Sequence, residues 1–327
     1  MALIDVRELR KTYRVAKRRS GLLNAMKSLV SRDYRQVTAL DGISFSIQPG
    51  EVVGYIGPNG AGKSTTVKIL SGILVPDSGR CEIMGLVPWR DRLRHVRRIG
   101  VVFGQRSQLW WDIPVLDSFE LLRDIYSVPA ARFHETLGDL ADRLALAELL
   151  EVPARQLSLG QRMRCEVAAS LLHGPDLLFL DEPTIGLDAV SKLALRDFIL
   201  QLNRDRGTTV ILTTHDMDDV EALCSRVMVI GHGSLLHDGP LQGLRASYGG
   251  LRRLSVDFVS APPGLSLDGV QAVTLTGNHA EIAFDPDLIS AADLIARLSR
   301  SYPVADLVVE HLPIEQIIAN MYREMAL

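Results

Sequence analysis

The chain has 327 residues, 47% of them hydrophobic, which is enough for one large domain with a sizeable core and a smaller domain beside it. Thirty-six basic residues against 39 acidic ones give a formal charge of −3, which excludes the basic excess of a nucleic-acid-binding chain, so no nucleic-acid partner is expected. Cys81, Cys165 and Cys224 are too few and too scattered for a disulfide framework or a metal site, and a reducing compartment is expected.

At the N-terminus Asp5, Arg7, Glu8 and Arg10 interrupt any apolar leader. No apolar run approaches the ~20 residues that cross a bilayer, so if a membrane is involved another polypeptide crosses it. Ile4 to Leu9 alternates as a strand, which Arg10 to Tyr13 is expected to close. From Arg14 to Arg35 the composition turns basic: Arg14, Lys17, Arg18, Arg19, Lys27, Arg32 and Arg35 face Asp33 alone. Within this stretch Leu22, Met26 and Leu29 share a helical face. A short basic amphipathic helix of this kind suits an anionic membrane surface. The alternative is a solvated charge run around a helix packed on its own domain.

Ile43 to Ile47 alternates as a strand, Pro49-Gly50 turns, and Glu51 to Ile56 reads as a buried strand. Gly57-Pro58-Asn59-Gly60-Ala61-Gly62-Lys63-Ser64-Thr65 then satisfies G-x-x-x-x-G-K-[ST]. The glycines let the backbone turn sharply and bring N–H groups to an anion. Lys63 supplies charge for the β- and γ-phosphates, and Ser64 offers a hydroxyl to Mg²⁺. Thr66 to Leu74 follows as a helix with Val67, Leu70 and Leu74 on one face. Strand, glycine loop and helix N-terminus together imply a bound nucleoside triphosphate.

Pro76 to Gly79 is a turn, followed by a strand at Arg80 to Met84, and Ile99 to Phe103 is a further strand ending at Gly104-Gln105. Helical spacing dominates from Ser118 to about Val152, with Leu137, Leu140, Ala141 and Leu144 as a core stripe. Leu157-Ser158-Leu159-Gly160-Gln161 opens a helix running through Ala168 and Leu172. Leu177 to Leu180 is an apolar run ending in Asp181-Glu182, as expected of a central parallel strand with acids at its carboxyl end, where α/β sheets place ligands. Thr208 to Thr214 is another strand and ends at His215. Val227 to Ile230 and Ser234 to Leu236 read as a closing hairpin around Gly231 to Gly233. Tyr248 to Gly250 looks like a linker. Beyond it, strands at Leu254 to Val259, Val273 to Leu275, Ile282 to Phe284 and Asp306 to Val309, a helix around Leu294, Ile295 and Leu298, and a terminal helix from Ile314 outline a small α+β module. It contains no cluster of catalytic residue types.

Taken in order and spacing, Gly57 to Thr65, Gln105, Leu157 to Gln161, Asp181-Glu182 and His215 resemble the nucleotide-binding subunit of an ATP-binding-cassette (ABC) transporter over roughly residues 1 to 240. The resemblance implies an α/β P-loop NTPase cassette: a RecA-like parallel sheet, an antiparallel β subdomain and a helical subdomain at about 106–174, with the basic insertion at about 14–36. The cassette would occupy residues 1–245 and the α+β domain 246–327. Leu157 to Gln161 stands where the family writes its L-S-G-G-Q signature, with Leu159 in place of the first glycine and Gly160 kept. By resemblance, Asp181 holds Mg²⁺ beside Ser64 and Gln105, Glu182 polarises the attacking water, and His215 contacts the γ-phosphate. Asp188 matches the loop linking the two sites of a dimer, and Ser158, Gly160 and Gln161 would cover the ATP of a second copy. The family stacks adenine on an aromatic ahead of the P-loop. Tyr13 is favoured over Tyr34, which lies five residues before Ala39. Gln105 to Asp117, with Trp110-Trp111, resembles the segment that grips an integral membrane permease.

Further sequence detail is similar to bacterial subunits of the type-2 exporter class, namely Gly57 to Thr66, Phe103 to Trp111 and Pro183 to Asp188. The expectation is therefore an ATP-hydrolysing export motor working with MgATP, peripheral on the cytoplasmic face of the membrane. An importer motor and a soluble non-transport ABC ATPase are the alternatives.

Overall fold

The computed structural model describes residues 2–16, 34–104, 106–248, 250–265, 267–311 and 313–324. The expected basic amphipathic helix and Gln105 lie outside the described residues. The chain forms two compact units, Met1–Gly239 and Pro240–Leu327.

In the first unit, β1 (Ile4–Ala16) pairs antiparallel with β2 (Tyr34–Ile47) and with β4 (Ser78–Ile83), in the order β2-β1-β4. Arg10 to Tyr13 does not close β1. The strand continues to Ala16, opposite Tyr34, because the same chain returns alongside it and supplies the ladder partners that the charged sequence does not advertise. The second sheet runs β5-β6-β7-β3-β8-β9. Within it β5 (Ile99–Phe103), β6 (Leu177–Asp181), β7 (Thr209–Thr213), β3 (Val52–Ile56) and β8 (Arg226–Gly231) pair in parallel, and β9 (Ser234–Pro240) lies beside β8. All five residues of β3 and of β7 are buried, as the unbroken apolar runs require of strands covered on both faces.

Helix α1 (Lys63–Leu70) follows β3 and lays Val67, Ile69 and Leu70 into a core shared with Ile4, Val6, Leu40, Ile43 and Phe45 of the antiparallel sheet. It stops at Leu70, four residues short of the expected end, where Ser71 and Gly72 (φ +76°) turn the chain. After the short helix α2 (Arg92–Val96) comes the helical part: α3 (Val115–Tyr126), α4 (Ala130–Arg143), two 3₁₀ turns at Ala147–Leu149 and Ala154–Gln156, and α5 (Leu159–Leu171). The expected stripe of α4 is buried at Leu137, Leu140 and the following Leu144, with Ala141 half-buried. Helices α6 (Ala189–Arg206) and α7 (Met217–Leu223) complete the unit.

The second unit has α8 (Leu241–Tyr248) and an antiparallel sheet in the order β11-β12-β10-β13, made of β10 (Arg252–Phe258), β11 (Val270–Thr276), β12 (His279–Phe284) and β13 (Val304–His311), with α9 (Ala291–Ser301) and α10 (Ile314–Glu324). Alternation puts Leu254, Val256, Phe258, Ala280, Ile282 and Phe284 into one core with Leu294 and Leu298 of α9. The alternate positions carry ion pairs, Arg253 to Glu281 (3.4 Å) and to Glu310 (3.2 Å) and His279 to Asp257 (2.8 Å).

Two buried histidines tie elements of the unit together, His95 joining α2 to the end of α1 and His173 joining the end of the helical part to β5. His95 Nε2 donates to Leu70 O (2.8 Å), and His173 Nε2 donates to Ile99 O (2.9 Å) while its ring stacks on Tyr126 at 4.0 Å. The Nδ1 atoms of both are buried without a hydrogen-bond partner, and burial holds both imidazoles below their ordinary pKa. As pH falls the unfolded chain therefore takes up these protons first. The stabilisation is complete above the ordinary histidine pKa of about 6.5 and is lost below it, at up to ~1.4 kcal/mol per pH unit for each ring. The urea midpoint of the first unit is expected to fall between pH 7.5 and 5.5, and His173→Phe, which keeps the stack, to flatten that slope.

Candidate functional site

The residues expected to bind nucleotide meet at the carboxyl ends of β3, β6 and β7, as open α/β sheets arrange their ligand sites. A cleft of about 770 Å³ lies there, lined by Gly57 to Gly60, Gly62 to Thr65, Lys68, Phe103, Gly104, Arg106, Asp181, Glu182, Ile185 and His215. Two glycines are sterically obligatory. A Cβ on Gly57 would meet Ile230 O at 2.3 Å, and one on Gly62, where φ is +116°, would meet Ala39 O at 2.5 Å. Gly60 also takes a left-handed φ (+83°), but its Cβ position faces open space. The loop thus presses its backbone against β2 and β8 while turning into the first turn of α1, with the helix dipole behind it.

Lys63 is buried and its Nζ donates to Gly57 O (2.5 Å) and Pro58 O (3.2 Å), so the ammonium is folded onto the rim of its own loop. Burial lowers its pKa, and the charges of Glu182 and Asp181 oppose that shift. A triphosphate entering the cradle would add negative charge and acceptors to the same ammonium.

Asp181 ends β6 and accepts from Thr213 Oγ1 of β7. Glu182, the next residue, adopts φ +57° and donates its N–H to Thr213 O (2.9 Å). A left-handed backbone at a glutamate is a strained conformation that neighbouring structure must hold, as is common at working sites. The turn aims the Glu182 carboxylate at His215, whose Nδ1–H donates to Oε2 at 2.6 Å. That bond leaves Nε2 of the largely exposed His215 ring available to the cleft. Gly104 closes against the same corner, donating to Asp181 O (2.8 Å), and its Cβ position lies 2.6 Å from Glu182 O. Asp181, Glu182 and His215 are thus brought together with Lys63 and Ser64 in one cleft. Gln105 falls outside the described residues.

The residues resembling the signature form a separate corner. Ser158 caps α5: its Oγ accepts from Gln161 N (3.2 Å), and its own N–H donates to Gln161 Oε1 (2.9 Å), a reciprocal capping box. Asp188 caps α6 and accepts from the N–H (2.9 Å) and hydroxyl (2.8 Å) of Ser191, and these bonds hold its carboxyl below the ordinary pKa. The first turns of α5 and α6 lie close together, since a Cβ on Gly160 would meet Ser191 Oγ at 2.7 Å. Leu159 is accommodated by Gly186, whose Cβ position lies 2.7 Å from Leu159 Cδ2. Ser158, Gly160, Gln161 and Asp188 are not among the residues that line the cleft.

Tyr13 lies beside the P-loop, its hydroxyl 3.4 Å from Thr65 Oγ1. Tyr34 is at the far end of the same ladder, opposite Ala16, and is exposed. Trp110 and Trp111 are both exposed, at 41% and 51%, and so are not core residues. Arg162 lies 5.7 Å from the Trp111 ring, and Trp111 O accepts from Arg155 N (3.0 Å).

The sequence reading missed the polar groups behind these loops. Glu166 of α5 is buried and accepts from Ser107 Oγ and Gln108 N (2.9 Å), fixing the segment after Gln105 to the helix that Ser158 caps. Its carboxyl is pushed above the ordinary pKa by burial. A charged residue within an otherwise apolar buried helix face was the available signal.

The ABC transporter family profile matches residues 40–185. The daunorubicin resistance ATP-binding protein DrrA3 of Streptomyces coeruleorubidus is 36% identical over 258 residues, 79% of this chain and 79% of its own. The linearmycin resistance ATP-binding protein LnrL of Bacillus subtilis is 33% identical over 68% of this chain and 70% of its own. Among solved structures, cbiO1 of Clostridium perfringens, part of the ABC transporter complex cbiONQ, superposes with a TM-score of 0.61 and 26% identity, covering 75% of this chain and 91% of that one. An ATP-binding subunit of an ABC transporter shares the fold at a TM-score of 0.63 and 23% identity, over 75% of this chain and 93% of that one. With the P-loop, the acidic strand end and the capped signature corner in place, the chain belongs to the ABC transporter family as one of its ATP-binding subunits.

Proposed function

We propose that two copies of this chain bind two MgATP between them and drive outward transport through a separate integral membrane permease. The observation that carries this reading is the separation, within one chain, of the phosphate cradle from the Ser158–Gln161 corner. Each cleft then needs the corner of another copy, so hydrolysis belongs to the dimer.

In this reading Gly57 to Thr65 wrap the β- and γ-phosphates, and Lys63 turns from its own carbonyls to them. Tyr13 stacks on adenine. Mg²⁺ would enter with the nucleotide, whose phosphates supply most of its oxygen ligands. Ser64 and Asp181 fit it as oxygen donors at the cleft, and Gln105 is the third ligand proposed. Bound there, Mg²⁺ neutralises charge on the phosphates. Glu182 accepts the proton of the attacking water, and His215 holds Glu182 through Nδ1–H; with a proton on Nε2 as well, the same ring donates to the γ-phosphate. Asp188 reaches across to the second copy.

No described helix is long and apolar enough to cross a membrane, which supports a peripheral subunit whose transport path lies in its partner. Trp110 and Trp111 supply an aromatic surface for that permease on the cytoplasmic face. Export is favoured over import because relatives across most of the chain are named resistance ATP-binding proteins. The test is affinity purification from detergent-extracted membranes. An integral membrane protein is expected to co-purify, and Trp110→Ala with Trp111→Ala to release it. Recovery of the chain with no membrane partner from either preparation overturns the transport reading.

A further inference from the structure

Behind the cleft four segments converge on one buried carboxylate. Asp219 of α7 is fully buried. Arg196 of α6 donates to its Oδ1 from Nε (2.6 Å) and Nη2 (2.5 Å). Thr184 Oγ1 donates to Oδ2, and Thr214 Oγ1 reaches the same oxygen at 3.5 Å. Thr184 lies two residues after Glu182, and Thr214 directly precedes His215. The side of α6 that supplies Arg196 also holds the turn after His215, through Lys192 Nζ to Asp216 Oδ2 (2.5 Å). Thr184, Thr214, Arg196 and Asp219 do not line the cleft.

We propose that Asp219 is a positioning residue for hydrolysis. It holds Thr184 and Thr214 at once and thereby sets the spacing at which Glu182 and His215 meet. Glu182 sits in a left-handed conformation that its own sequence does not favour, and His215 is largely exposed with few contacts of its own. Neither side chain can fix the 2.6 Å contact alone, and both loops are short extensions of the two tethered threonines. Burying an ion pair is costly where only packing is needed, since apolar side chains of similar volume do as well or better. What the pair supplies here is direction: Arg196 holds Oδ1 through two nitrogens, which leaves Oδ2 to take both threonine hydroxyls and so to join the two loops at one atom. Arg196 lies on the helix that Asp188 caps, so the same clamp also ties the hydrolytic pair to the loop facing the second copy.

The inference rests on the proposed roles of Glu182 and His215. Asp219→Ala would take from the half-buried Arg196 its main partner and disturb both loops at once, and is unsuited to the test. The informative variant is Thr184→Val, which keeps the shape and removes one tether. It is expected to fold with unchanged ATP affinity and KM while kcat falls about 10- to 100-fold, the scale of an ångström-sized misplacement. Thr184→Ser restores the hydroxyl and is expected to restore kcat. Placed on Glu182→Gln, Thr184→Val is expected to cost nothing further, because it acts through Glu182. Full kcat in Thr184→Val, failure of Thr184→Ser to restore it, or a matching loss of ATP affinity overturns the positioning role. Full turnover in Glu182→Gln alone instead overturns the underlying assignment of the base.

Discussion

Glu182→Gln is expected to lose turnover by about 10²- to 10⁴-fold, the usual contribution of a positioned general base, while still binding ATP. The geometry gives the reason for both halves. The glutamine carbonyl can accept from His215 Nδ1–H as the carboxylate does at 2.6 Å, and the backbone bond from residue 182 to Thr213 O does not involve the side chain. The corner therefore keeps its shape and loses only a group able to take a proton from water. Affinity should hold or improve, because a carboxylate that faces the γ-phosphate is removed from the cleft. With hydrolysis blocked and the phosphates still in their cradle, MgATP is expected to drive the variant into a dimer that outlasts size-exclusion chromatography, whereas wild type returns to monomer as ATP is consumed. Single-turnover hydrolysis at the wild-type rate would refute Glu182 as the base. A dead variant that stays monomeric with MgATP would instead point away from the two-copy site.

The readable features of this chain were those in which chemistry and local backbone need coincide in one short stretch. Gly57 and Gly62 are fixed by contacts at 2.3 and 2.5 Å that any side chain would violate, and Lys63 and Ser64 follow at invariant spacing, so the motif carries both shape and function. Leu177 to Asp181 was legible because burial on both faces demands an unbroken apolar run, and its acidic end marks the side of the sheet where ligands sit. The long arms of β1 and β2 were not legible, since Arg10 to Ala16 are ordered by pairing across the intervening insertion and not by their own pattern. The groups that hold the catalytic corner were invisible for the same reason at greater range. Asp219 meets Thr184 across 35 residues and Glu166 meets Ser107 across 59, and nothing in the local sequence of either partner announces the other. Leu159 reads as a departure from a glycine signature. The structure supplies its counterpart 27 positions away in Gly186, whose left-handed φ (+71°) and missing Cβ leave room for the leucine as it stands.

Lys63→Ala is expected to weaken ATP binding about 10- to 100-fold, corresponding to a charge-assisted hydrogen bond of ~1.5–3 kcal/mol. Without nucleotide the same substitution should be nearly harmless to the fold. The ammonium is buried at a desolvation penalty that lowers its pKa, and its two protein acceptors, Gly57 O and Pro58 O, line a cleft of about 770 Å³ where water can replace it. The pair of melting curves separates binding from stability. The ligand-free midpoint should stay within about a degree or two of wild type or rise, while the upward shift produced by saturating MgATP, which grows as RT ln(1 + [L]/Kd), should shrink by the amount that the weaker Kd dictates. Lys63→Arg should not rescue it, because a planar guanidinium cannot be seated between the Gly57 and Pro58 carbonyls where a single ammonium now makes bonds of 2.5 and 3.2 Å. A variant that keeps the full nucleotide-induced shift would show that the backbone cradle alone holds the phosphates, and the ammonium would then have to act after binding, on the charge that develops as the γ-phosphate departs.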